Sequence, residues 1–153
     1  MRGISATAST FGALAIVVGC GPYEKAKLDR EVDRLCAIDG GVRVYETVKL
    51  GKENFGADGE VFPQFRAQIR VGESLGPDYR LTSTKELIVR GDPSLTKWSV
   101  TITRVSDRKV LARQINYVRG GGDLPGPWAP SSYSCRNVSL DLSKLVFLKE
   151  DSK

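Results

Sequence analysis

Histidine is absent from this chain. That removes the commonest general base and the commonest metal ligand together, and with them any Ser-His-Asp or Cys-His arrangement. Cysteine is scarce, with three residues at positions 20, 36 and 135. None sits in Cys-x-x-Cys spacing, and two or three thiols without imidazole do not complete a structural zinc site. No apolar run approaches the ~20 residues that cross a bilayer. No block of five or six like charges occurs, so there is no nucleic-acid arm and no polybasic membrane arm. Internal repeats and low-complexity blocks are also missing. Arg119-Gly120-Gly121-Gly122 is glycine-rich but has neither the Lys-Ser or Lys-Thr of a P-loop nor dinucleotide-fingerprint spacing. No pair of acids stands out for glycoside chemistry. These absences argue for no cofactor, no metal, no catalytic residue and no nucleic-acid partner.

What remains is the composition of a folded domain. Hydrophobic residues make up 41% and charged residues 27% of 153 positions, with a formal net charge of +5. That length suits one domain, large enough to bury a core without a metal staple. A mild positive balance is ordinary surface charge.

The opening stretch carries the clearest address. Arg2 gives a positive start, and Phe11 to Val18 is apolar apart from Gly12. This matches the length of a signal-peptide apolar region. Val17-Val18-Gly19-Cys20 then resembles the lipobox of bacterial lipoproteins, with Val where Leu is usual. The resemblance implies that residues 1–19 are removed and that Cys20 becomes a diacylglyceryl-modified N-terminus. Residues 20–153 then form the mature domain, held to a membrane by lipid on Cys20. Two or more acyl chains fix a protein firmly, whereas one holds weakly. Gly21 rather than Asp follows the cysteine, which implies an outer-membrane rather than inner-membrane destination in a Gram-negative host.

Setting Cys20 aside leaves Cys36 and Cys135, an even pair in a compartment that would be oxidising. A disulfide between them is expected. Two buried free thiols are the alternative.

Along the mature chain, Pro22 suits a first helical turn. Leu28, Val32, Leu35 and Cys36 recur at helical spacing, predicting an amphipathic helix of about four turns ended by Asp39-Gly40-Gly41. Val42 to Leu50 alternates as one strand, with Glu46 on its apolar side. Such a carboxylate is either functional or paired with an arginine. Gly51 to Gly59 is turn-rich, and Val61 to Val71 reads as an irregular stretch ending in a short strand. Tyr79 to Arg90 is a strand stopped by Gly91-Asp92-Pro93. Trp98 to Thr103 and Val110 to Arg119 form a hairpin, the return strand mixing its faces as either a bulge or burial on both sides would. Arg119 to Ser134 is a long Gly/Pro loop, and Val138 to Leu148 is a last strand or a short helix. The order argues an α+β domain: one N-terminal helix packed on an antiparallel sheet.

The loop supplies the candidate binding residues Arg119, Asp123 and Trp128. Trp128, flanked by prolines, is either an exposed anchor or a buried rivet. Leu35-Cys36, Asp39-Gly40-Gly41, Val44-Tyr45-Glu46-Thr47 and the Gly122 to Gly126 stretch leading to Cys135 resemble short proteobacterial envelope lipoproteins. That likeness implies location and disulfide but no activity. The expectation is therefore a lipid-anchored envelope module binding an envelope protein or a cell-wall component. The alternative is a small envelope hydrolase or an inhibitor of one.

Overall fold

The computed structural model describes residues 21–66, 74–124, 126, 129–138 and 141–150. Cys20, Trp128, residues 1–19 and the end of the predicted strand at 67–71 lie outside the described residues.

Helix α1 spans Gly21–Asp39, five turns, with Pro22 in the first. Its stripe of Leu28, Val32, Leu35 and Cys36 packs on the sheet as the spacing requires. The helix ends where Gly40 donates its N–H to the Cys36 carbonyl and Gly41 turns the chain at φ +92°. A Cβ on Gly40 would stand 2.6 Å from the Cys36 Cα, so a side chain there has no room.

Strands β1 (Gly41–Val44), β3 (Tyr79–Val89), β4 (Ser94–Arg104), β5 (Val110–Gly120) and β6 (Ser132–Ser134) make an antiparallel sheet in the order β1-β5-β4-β3, with β6 also on β5. The predicted α+β class is thus present: a helix against an antiparallel sheet. Strand β4 starts earlier than alternation from Trp98 indicated, because Leu95 is fully buried under α1. Of the two explanations for the mixed return strand, a bulge is present. Ile102 pairs with Ala112 but Thr103 with Val110, so Leu111 is the extra residue and it and Ala112 are both buried.

Three expectations need correction. Val42 to Leu50 is two strands, not one: the chain leaves the sheet after Val44, and Tyr45 and Glu46 both donate their N–H groups to the Leu111 carbonyl. Strand β2 (Val48–Leu50) then pairs in parallel with β7 (Phe147–Lys149). The tail is both a one-turn helix, α2 (Ser143–Val146), and a strand. The long loop is shorter at both ends, because β5 continues through Gly120 and β6 folds back on it from Ser132.

Side chains alternate between faces along a strand. Leu95 and Ile102 are seven residues apart on β4, so they point to opposite faces, and each belongs to a different core. On the helix face, Leu95, Ile115 and Tyr117 meet Leu28, Val32 and Cys135. On the other face, Leu81, Ile102 and Ala112 meet Val61, Phe65, Val146 and Phe147. Phe147 sits edge-on to both Phe65 and Tyr79, at 5.6 and 4.9 Å. Gly76, at φ +73°, lets the Phe65 ring lie against its turn, where a Cβ would meet the ring at 2.6 Å. The two cores sit at opposite ends of the sheet as well as on opposite faces. Each face is therefore covered at one end and open at the other.

Candidate functional site

Helix α1 is fixed to the sheet by a polar contact at almost every turn. Lys25 meets Asp123 at 2.5 Å, Asp29 meets Arg119 at 2.8 Å, Asp33 accepts from the Tyr133 hydroxyl at 2.9 Å, and Asp39 meets Lys97 at 3.1 Å. Between them, Cys36 and Cys135 form the expected disulfide, with Cα atoms 5.6 Å apart and 99 residues of separation.

Arg119 and Asp123 take their places in this arrangement rather than in a free loop. Arg119 is 2% exposed. Its Nε donates to Asp29, and its Nη1 to the Gly121 and Ser131 carbonyls and the Ser131 hydroxyl. Asp123 accepts from Lys25, from the Ser131 N–H and from the Ser131 hydroxyl. Those donors, Lys25 first, pull its carboxyl down to about 2. Both side chains thus close the loop base, with Gly121 N–H to the Ser131 carbonyl completing the ring. Sequence reasoning missed their partners. The signal was there: Lys25 and Asp29 lie on the α1 stripe one turn apart, in register with Val32 and Cys36.

Glu46 pairs with Arg104 and with Lys109, the latter at 2.5 Å. The Lys109 ammonium and the Arg104 guanidinium hold its carboxyl below the usual range. This is the paired reading of that residue. Asp39 is pushed up by burial, but the Tyr117 hydroxyl and the Lys97 ammonium more than offset that.

Two clefts flank α1. One, of about 390 Å³, opens beside the disulfide between Asp33, Gly40 and Arg136. The other, of about 520 Å³, lies between Leu28, Val89 and Pro93. In the second, Glu24 is 3.7 Å from Lys27, and Glu31 is bonded to Arg34. No group of three or more Cys, Asp or Glu placed to hold a metal occurs among the described residues. No helix among them is long and apolar enough to cross a membrane.

The open surfaces are the two uncovered half-faces. On the face opposite α1, Trp98 is 38% and Leu87 46% exposed, with the Lys85 ammonium 5.0 Å from the Trp98 ring centre. On the helix face, beyond the end of α1, the described strand residues are polar apart from Val110, 40% exposed opposite Thr103: Arg43, Arg113, Thr101, Thr82, Thr103 and Arg80. No family model matches this chain, and neither does any curated protein or solved structure.

Proposed function

We propose that this chain is a lipid-anchored protein of the bacterial cell envelope, held by acyl chains on Cys20, whose domain is a non-enzymatic binding module. The observation that carries the reading is Val17-Val18-Gly19-Cys20 followed at once by α1 from Gly21. In that reading no flexible tether intervenes. In the same reading, Lys25 bonded to Asp123 and the Gly122 N–H bonded to Asp92 favour an orientation with the Gly91–Pro93 turn, Gly121 and Ser131 toward the lipid. The hairpin turn at Val105–Lys109 lies at the far end of eleven-residue strands, about 35 Å away. A domain so placed presents its polar half-face outward. The outer membrane is the favoured destination because Gly21 follows the lipid-bearing residue, and the partner is an envelope protein or a cell-wall component. The pairing of Glu46 with Arg104 and Lys109 favours binding over hydrolysis, since a carboxylate so held is a poor general acid.

Mass spectrometry of the protein from its native host tests the reading. A mature chain beginning at acylated Cys20 is expected; an intact Met1 or a terminus elsewhere overturns it. Cys20→Ser should move the folded domain from the outer-membrane fraction to the soluble one.

A further inference from the structure

The polar half-face has an arrangement that folding alone does not favour. Arg43 on β1 is directly opposite Arg113 on β5. Opposed residues on an antiparallel pair share a face with Cβ atoms ~5 Å apart, and like charges there repel. Both arginines are exposed. Neither has a carboxylate bonded to it among the described residues; Arg43 makes one long contact, 3.4 Å, to the Ile38 carbonyl. Arg113 faces Thr101 on β4, Thr101 faces Thr82 on β3, and Thr103 faces Arg80. Ser99 and Thr84 form the next pair. The described strand residues of this half-face thus carry three arginines and a field of hydroxyls. Acids around it among the described residues are Asp39, bonded to Lys97, Glu86, registered opposite Lys97, Glu46, bonded to Arg104 and Lys109, and Asp78, two residues before Arg80.

The geometry points to this face as a binding site for a phosphate-bearing polysaccharide. Two guanidinium groups held side by side converge on one multiply charged group, and their planar forks match phosphate oxygens in pairs. From Arg113, Arg80 is two strands and one residue pair away, about 12 Å. It can therefore hold a second anionic group of the same chain. The threonine and serine hydroxyls between them donate to and accept from sugar hydroxyls, as neutral hydroxyls do. The described strand residues of this half-face carry no exposed aromatic ring on which a nucleobase would stack, which disfavours single-stranded nucleic acid. Among the described strand residues its exposed apolar side chain is the single Val110 opposite Thr103, whereas protein interfaces are built around an apolar cluster. A mostly hydrophilic, positively charged surface matches an extended anionic glycan in charge and hydrogen bonding.

The inference deepens the binding-module reading and rests on it, but it does not depend on the lipid. The test uses the purified full-length chain in detergent, with phosphorylated dextran as probe and neutral dextran, polygalacturonate and duplex DNA as comparisons. Phosphorylated dextran should bind at least tenfold more tightly than polygalacturonate or DNA, and neutral dextran should not bind. Arg43→Gln with Arg113→Gln should weaken binding at least tenfold with an unchanged circular dichroism spectrum. Arg113→Lys keeps the charge but not the fork and should fall between. Lys49→Gln, the loss of one positive charge on β2, should leave affinity unchanged. Equal binding of all polyanions, or equal weakening by Lys49→Gln, overturns the proposal and reduces the face to general basicity. Unaltered binding by the double variant overturns it outright. A failure here leaves the lipidation experiment untouched, and failed lipidation leaves this assay standing.

Discussion

Reducing the Cys36–Cys135 bond should lower the melting temperature by about 7 to 17 °C, and the size follows from the chain it closes. The cross-link spans 99 residues and encloses almost the whole sheet. In the chain-entropy treatment, a loop of that length restricts the denatured state by ~4.7 kcal/mol, and measured values for disulfides are typically ~2 to 4. Residual denatured-state structure accounts for part of the difference. Unfolding entropy is about 2.1 cal/mol/K per residue, or about 0.27 kcal/mol/K for the roughly 130 residues from Gly21 to Glu150. A loss of ~2 to 4.7 kcal/mol then corresponds to the stated range. The assay is differential scanning calorimetry with and without a phosphine reductant, at matched concentration. Denaturant unfolding provides a second readout, since an unclosed denatured chain is more expanded and the slope m should rise. A drop under about 3 °C with an unchanged m would refute the loop-entropy reasoning. The bond would then act only locally, between α1 and the segment after β6.

Other outcomes follow from single contacts. Leu95→Ala should cost ~2 to 5 kcal/mol in urea unfolding, since the side chain is fully buried between α1 and β5 and little can collapse into its space. Asp123 has its carboxyl at about 2 in the folded protein against an ordinary 3.8, so its stabilising contribution is complete above pH ~4 and is lost as pH falls toward 2. Urea midpoints at pH 5 and 2.5 should therefore converge for the parent and Asp123→Asn at the lower value. Arg113→Gln should raise stability by ~0.2 to 1 kcal/mol by removing the repulsion across β1 and β5, while weakening glycan binding. A destabilised Arg113→Gln would mean that the arginine has a structural task and would remove the trade-off.

Much of the fold was legible because its signals are short-range. The α1 stripe, the glycines after it and the apolar alternation of β3 to β5 are each read within a dozen residues. Cysteine parity gave the disulfide for a similar reason: once Cys20 is assigned elsewhere, only one pair can form. Even the bulge at Leu111 showed as a flaw in the period of the return strand.

The sequence by itself determined the helix, the hairpin, the cysteine pair and the α+β class, since local periodicity and residue chemistry leave few other solutions. Tertiary structure alone decided where groups distant in sequence meet. The break at Tyr45–Thr47 depends on Arg104 and Lys109, which capture Glu46 from about sixty residues away. The burial of Arg119 depends on Asp29, ninety residues earlier. The parallel pairing of β2 with β7 joins segments about a hundred residues apart, and nothing in either three-residue strand announces its partner. The juxtaposition of Arg43 with Arg113 exists only in the register of β1 on β5. Register and long-range ion pairs are properties of the packed chain, because shifting a strand by one residue would send every one of its side chains to the other face.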